Sequence, residues 1–331
     1  MPQPPHVVPF STLKRKTYRL FQAADAIASQ SGNLTNEKLT IAIEQAFSLW
    51  SAVSRLSFVA DPNGTGAPDV PITFRRFGQS DAQLGNGLVD INIDQDFFVD
   101  PFSETDPHPT RNGPFDLVRA LAHEIGHKLG LDHPPEGDTR PALMSGSQGP
   151  GAVLRELFEF DIAGIQALHG AIQLNGEVAA ALGTAILVDT SAGVTFSPSD
   201  GAIVVGGPDG AHAVVDCFVD VKGKVVNSIK LKYNLVSRNA IVGNMELWDG
   251  IVRLQTYSLA SRAAGGGLAG KNFAYHFGLL TRRQMQNQLR VRFELRFKEQ
   301  DAGVNGVALI QSVVATTIAP TPVLDLPVLT T

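Results

Sequence analysis

The chain has 331 residues, 44% of them hydrophobic and 18% charged, with a formal net charge of −5. This is the composition of a globular protein with apolar side chains to spare for real cores, and about 150 residues per domain suggests two domains. Mild acidity without a run of five or more like charges argues against a nucleic-acid partner. No stretch of about 18 apolar residues reads as a membrane span, and a single cysteine, Cys217, excludes an internal disulfide.

At the N-terminus, "MPQPPHVVPFSTLKRKTYRLF" holds no continuous apolar segment after a basic start, so no secretory signal is read. "KTYRLFQ" alternates and predicts a strand. In "LTNEKLTIAIEQAFSLWSAV", Leu39, Ile43, Ala46, Phe47, Trp50 and Val53 recur at three and four, the spacing of an amphipathic helix capped by Thr35 or Asn36. "LSFVAD" and "DVPITFRRF" read as strands, the latter with Val70, Ile72 and Phe74 on one face. "GLVDINIDQDFF" alternates Val89, Ile91 and Ile93 against Asp90, Asn92 and Asp94, as a half-buried strand does. Residues 100–113 are rich in Pro, Asp, Thr and Asn and predict a loop.

A helix follows, with Pro114 in its first turn and Leu117, Leu121, Ile125 and Lys128/Leu129 as a stripe. A second, "LRELFEFDIAGIQALHG", sets Leu154, Leu157, Phe158, Ile162, Ile165 and Leu168 on one face and ends at Gly170. Beyond residue 171 the texture changes to short apolar runs between Gly, Ser, Pro and Asp. In "LRVRFELRF", Val291, Phe293, Leu295 and Phe297 alternate with Arg290, Arg292, Glu294 and Arg296. Several such runs predict an antiparallel β-sandwich. Cys217, in "HAVVDCFVDV", reads as a small buried hydrophobe, and Trp248 as a core residue rather than a sugar platform. Asp249-Gly250 reads as a tight turn, and the Pro-punctuated end as a tail or edge segment.

The chemistry sits in "HEIGHKLGLDHPPEGDTRPALMSG", residues 123–146. His123 and His127 are four apart on a predicted helix, about 40° around the axis and about 6 Å along it, so both imidazoles can reach one ion. Gly130 accepts positive φ and can turn the chain so that His133 approaches the same ion from another side. Three neutral imidazoles with an open fourth position describe a catalytic zinc site. Glu124 is turned about 100° from His123, too far for an obvious ligand but placed to take a proton from water as general base. A bare H-E-x-x-H occurs by chance on polar helices. The longer H-E-x-x-H-x-x-G-x-x-H with a following Met144 is the metzincin signature. Taken alone, Met144 could be a plain core filler.

"FDLVRALAHEIGHKLGLDH", "PALM" and "FEFDIAGIQALHG", with "TYRLF", "AIEQAFSLWSAVSRLSFVA" and "PDVPITFRRF" upstream, resemble the catalytic domain of a matrixin, the matrix-metalloproteinase-like branch of the metzincins, over about residues 12–170. The resemblance implies an α+β domain over residues 1–170, a twisted mixed sheet with three helices; the alternating runs beyond it make residues 171–331 an all-β, sandwich-like accessory domain that carries no such resemblance. The resemblance also implies an extracellular zinc endopeptidase acting on protein or peptide. His123, His127 and His133 would be its zinc ligands, Glu124 the base and Met144 the methionine of a turn beneath the metal. Leu121, Ala122 and residues 145–155 would line a hydrophobic pocket beside it.

The departures are specific. "GQSDAQLGNG" leaves room for only a short or rebuilt substrate-pairing edge strand. Asn92 stands where a ligand of a second zinc would be expected, and no further histidines replace it. Asp94 and Asp96 are candidate Ca2+ ligands, weighed against solvated strand-end acids. Asp161 is expected to brace the methionine turn or a backbone amine, and His108 to be a loop histidine. No propeptide with a zinc-blocking cysteine is seen. Three readings follow: a zinc endopeptidase with an accessory β-domain; an inactive protease half whose β-domain binds a surface or glycan ligand; and a protease whose β-domain covers or delivers the cleft.

Overall fold

The computed structural model describes residues 14–21, 34–77, 89–99, 113–146, 149–172, 174–199, 201–208, 210–236, 240–259, 271–280, 282, 284–297 and 306–318. The expected loop over 100–113 up to its last residue, with His108 in it, the shortened edge region at 78–88 and the C-terminal segment from 319 lie outside them.

The first half builds four parallel strands, in the order β2 (Leu56–Ala60), β1 (Lys14–Leu20), β3 (Val70–Arg75) and β4 (Asp90–Asn92). Helix α1 (Asn36–Val53) is capped by Thr35, whose Oγ1 accepts from the Lys38 amide at 3.3 Å. Its apolar stripe is the predicted one. Phe47 sits between the rings of Tyr18 and Phe58, at 4.5 and 4.6 Å between centroids. Burying such a side chain contributes about 1.5–3 kcal/mol. Phe97–Phe98 (β5) pairs with Phe115–Asp116 (β6), and α2 (Leu117–Lys128) and α3 (Glu159–His169) complete the three expected helices.

Three boundaries differ from expectation. The long strand over 89–98 is two short pieces, because Val89 has φ +62° and Asn92 is buried, accepting the amides of Asp94 (3.0 Å) and Phe77 (3.3 Å) in a turn. Helix α2 starts at Leu117, beyond Pro114, because Asp116 caps it and its Oδ1 accepts the Val118 amide at 3.0 Å. Helix α3 starts at Glu159 rather than Leu154. Asp161 takes the Phe158 amide at 2.9 Å, and Arg155 is drawn out of any helical path into a buried ion pair with Asp116.

Among its described residues the second half is strands, with one short 3-10 turn at Leu182–Thr184. One antiparallel sheet runs β15 (Lys271–Gly278), β12 (Val225–Leu235), β17 (Gly306–Ile318), β10 (Ile203–Gly207) and β9 (Thr195–Pro198), with β7 (Gly176–Ala179) added on β17. The other runs β14 (Val252–Ser258), β13 (Ala240–Asp249), β16 (Leu289–Phe297), β11 (His212–Val219) and β8 (Ile186–Thr190). Buried side chains of both sheets, Cys217 among them, form one hydrophobic cluster, and β16 alternates strictly as predicted. Trp248 is a correction. It is half-buried on the outward face of β13, next to inward Leu247, with Arg290 stacked 4.6 Å from its ring centre.

The halves meet across α1. Gln45 exchanges two hydrogen bonds with the Ser258 backbone, at 3.0 and 3.1 Å. Arg282 donates to the carbonyls of Ser51 and Ser54. Gly278 lies so close that a Cβ there would stand 2.5 Å from the Ala52 nitrogen and the Ser48 oxygen, both backbone atoms. Arg155 joins the set: besides Asp116 (2.8 Å) it donates to Val99 O (2.7 Å) and Ser258 O (3.0 Å). Its side chain is 2% exposed and that of Asp116 0%. Arg155→Met would strand the Asp116 charge in the interior, and removing one member of such a pair costs about 3–5 kcal/mol. Urea unfolding followed by tryptophan emission should show that loss; a change within error of zero would mean the pair contributes nothing net.

Candidate metal centre

Helix α2 carries His123 and His127 one turn apart, anchored by Leu117, Val118, Leu121, Ala122 and Ile125, all fully buried. The helix ends at Leu129. Gly130 follows at φ +99°, and the Leu131 amide folds back to Gly126 O at 3.0 Å. The turn expected from Gly130 is therefore present, and it brings His133 round. The three Nε2 atoms form a nearly equilateral triangle: His123–His127 3.1 Å, His127–His133 3.1 Å and His123–His133 3.2 Å.

The other ring nitrogens show what the triangle is for. His123 Nδ1 lies 3.1 Å from Leu143 O, and His127 Nδ1 2.9 Å from Leu131 O. A carbonyl only accepts, so each Nδ1 carries the proton and each Nε2 is left with a lone pair. Lone pairs converging on one point repel each other unless a cation lies between them. A tetrahedral ion with bonds of about 2.0–2.1 Å spaces its ligand atoms about 3.3–3.4 Å apart, so the triangle fits zinc. Burial, opposed by the Leu143 hydrogen bond, holds the His123 imidazole down at about 4, so it is neutral well below neutral pH. His123 and His127 are half-buried and His133 is exposed, so the centre is open on one side.

A floor lies under the triangle. Met144 is fully buried. A Cβ on Gly126 would meet Met144 Sδ at 2.3 Å and the Trp50 ring at 2.9 Å, so the helix can settle on its floor only because residue 126 lacks a side chain. Trp50 Nε1 donates to Ala122 O at 3.0 Å, holding α2 against α1. Asp161 braces the turn as expected, accepting the amides of Leu143 (2.8 Å) and Met144 (3.0 Å). The same Leu143 presents its carbonyl to His123, so Asp161 acts on the imidazole through one peptide unit.

Glu124 is buried at 5% exposure on the turn between the two helical histidines. Leu121 and Ala122, expected to wall a pocket, are fully buried. Asp94 is paired with Arg76 at 3.1 Å. Among the described residues, the three histidines are the group of three or more His, Cys, Asp or Glu side chains close enough to share one ion. His212 is exposed and bonded to Ser191. The sequence reading gave no part in the site to Gly126, Arg155 or Asp116, and read Trp50 only as a core residue of the first helix. Gly126 did carry a signal: a glycine inside a helix costs about 1 kcal/mol against alanine and calls for a packing reason.

The Matrixin family model matches residues 15–170. Interstitial collagenase of Sus scrofa is 32% identical over 151 residues, 44% of this chain and 31% of that protein. The hatching enzyme of Paracentrotus lividus is 31% identical over 174 residues, 50% of this chain and 28% of that protein. Karilysin of Tannerella forsythia is 32% identical over 117 residues, 32% of this chain and 24% of that protein. The chain thus spans under a third of the length of these relatives. Among solved structures, a low-affinity xylan-binding module from Roseburia intestinalis aligns with 44% of this chain and 97% of its own, at 9% identity and a TM-score of 0.28. A bacteriophage tailspike domain aligns with 41% and 20%, at 11% identity and a TM-score of 0.30. At those scores neither bears on fold or function.

Asp161→Ala should leave three histidines in place but free the Leu143 carbonyl that orients one of them. Zinc affinity, read by competition with a chromophoric chelator, should fall about 10–100-fold, the usual effect of removing such a support; unchanged affinity would show the brace to be idle.

Proposed function

With residues 15–170 identified as a matrixin-like domain, we propose that this chain is a zinc-dependent endopeptidase in which His123, His127 and His133 hold the ion and Glu124 is the general base. The observation that carries the reading is the Nε2 triangle, with the Nδ1 atoms of His123 and His127 already engaged by carbonyls. A zinc ion bound there supplies Lewis acidity toward a peptide carbonyl and toward water.

The chain's residues do the rest. Imidazoles pre-set in one tautomer bind without a proton being displaced from the ligating nitrogen. Exposed His133 leaves a side of the centre free for an extended substrate. Glu124 takes a proton from the attacking water as its oxygen bonds to the carbonyl carbon. It then delivers that proton to the amide nitrogen as the C–N bond breaks, releasing a carboxylate and an amine. Met144 and Asp161 hold the ring that carries the first ligand.

We read residues 171–331 as a sandwich-like accessory domain and place the activity outside the cell, on the matrixin likeness. No described helix is long and apolar enough to cross a membrane. Among the described residues, hydrogen bonds between the halves fall on α1, β2 and residues 54, 55, 99 and 155, away from the histidines, and this supports an open protease over one masked by its β-half. No ligating residue of the signature is lost, so an inactive protease half is not favoured.

The test is Glu124→Ala. The variant should retain about one zinc per chain while cleavage of an unfolded protein falls by about 10²–10⁴-fold, the contribution of a positioned general base. A chelator should abolish activity in the parent. Undiminished cleavage by the variant would overturn the mechanism.

A further inference from the structure

The hairpin between β13 and β14 ends in an isoleucine that folding does not call for. Asp249 and Val252 pair across it, and Gly250 and Ile251 make its two-residue loop. Gly250, at φ +63°, takes the position that needs a glycine, while Ile251 keeps an ordinary negative φ. Residue 251 is therefore open to the polar residues that such loops favour. It is instead, at 93% exposure, the most exposed large apolar side chain among the described residues, next to Val252 at 49%. The tip is braced as well. Buried Asp249 accepts the amides of Gln286 (3.2 Å) and Asn287 (2.8 Å) and the Asn287 Nδ2 (3.0 Å). Neither packing nor backbone conformation explains an isoleucine held out in water on a braced turn.

The surroundings of the tip are basic. The segment that braces Asp249 is bonded in turn to the loop between β11 and β12. Gly223 N donates to Met285 O and Met285 N to Lys224 O, both at 2.9 Å, and Gln284 Nε2 donates to Gly223 O at 2.8 Å. That loop carries Lys222 and Lys224, both exposed, against one exposed acid, Asp220. Among the described residues neither lysine has an ion-pair partner. Behind the tip, Trp248 pairs in register with Arg253 on one side and Arg290 on the other. Arg253 is half exposed, and Arg290 lies 4.6 Å from the indole centre. At about 3.3 Å per residue this level is roughly 7–10 Å behind Ile251.

Apolar side chains at the tip, with an indole and cations one level back, match the depth profile of a bilayer surface. Peripheral elements bury apolar groups about 5–10 Å into the headgroup–acyl boundary, and indoles and cations favour the headgroup zone. Two protruding apolar side chains fall far short of the roughly 800 Å² per partner of a stable protein interface. They suffice on a fluid surface to which the cations add attraction. We propose that this end of the β-half docks the protein on an anionic lipid bilayer. Ile251 and Val252 enter the acyl boundary, and Lys222, Lys224 and Arg253 meet the headgroup phosphates. No residue of the histidine centre takes part, so the docking stands or falls independently of proteolysis.

The test is co-sedimentation of the full chain with vesicles of phosphatidylserine and phosphatidylcholine, beside vesicles of phosphatidylcholine alone. The mixed vesicles should carry the protein down, and the neutral ones should bind it at least about tenfold more weakly. Ile251→Ser should weaken binding at least about tenfold, the loss of one buried aliphatic side chain. Lys222→Ser with Lys224→Ser should weaken it about 25-fold, about fivefold for each lysine, and raised salt should do the same to the parent. Circular dichroism of the variants confirms that they are folded. Folded parent left in the supernatant at millimolar anionic lipid would overturn the proposal. So would equal binding to neutral vesicles, or binding that neither the Ile251 nor the lysine variant diminishes, which would place the contact elsewhere on the molecule.

Discussion

Asp116 is where the two halves and the metal centre become one problem. Its Oδ1 caps α2, so it sets the residue at which the helix starts and therefore the angle at which His123 and His127 emerge. The same carboxylate, wholly buried, is neutralised by Arg155, which also reaches Val99 and Ser258. A buried charge without a partner is not tolerated, so the cap, the strand-end at residue 99 and the second half are bound to a single side chain. This explains why α3 begins late. Residues 152–158 stay out of the helix because Arg155 must run inward, and the helix starts only where Asp161 can collect the Phe158 amide.

Asp161 repeats the device nearer to the chemistry. One carboxylate accepts three backbone amides, at Leu143, Met144 and Phe158. That closes the turn whose carbonyl orients His123 and whose methionine lies under α2. The floor is selective in a steric way. Gly126 is wedged against Met144 and Trp50, and Trp50 in turn bonds Ala122 O. The histidine triangle is thus set from beneath by packing and from the sides by carbonyls. An ion would then find its ligands already converged, with little ordering cost left to bind it.

What could be read from the sequence follows from which interactions are local. The histidine spacing, the positive φ at Gly130, the Thr35 cap and the alternation of β16 depend on residues a few positions apart, and all are where expected. The misread boundaries depend on partners far along the chain. The apolar spacing of Leu154, Leu157 and Phe158 extends the expected helix back to Leu154, and nothing nearby reveals that Arg155 belongs to Asp116, 39 residues earlier. Trp248 reads as a core residue from the sequence. The alternation of β13 puts Leu247 inward, and Arg290 and Arg292 supply the outward ring with a cationic cover. The strand over 89–98 read as continuous because burial of Asn92 is decided by two amides it accepts rather than by polarity.

The junction between the halves changes how the second half should be regarded. A tethered module would touch its neighbour through long, exposed side chains. Here the contact is backbone against backbone at Gly278 and α1, reinforced by buried polar groups: Gln45 with Ser258, Arg282 with the end of α1, and Asn227 with Ala52 O at 3.2 Å. Leu280 even belongs to the hydrophobic cluster of the first half. Exposing those groups would leave amides and a guanidinium paired only with water and open apolar surface on the helix that carries Trp50, the same helix that supports α2. The β-half is therefore packed against α1, the helix whose Trp50 bonds Ala122 O and so supports the helix that carries His123 and His127.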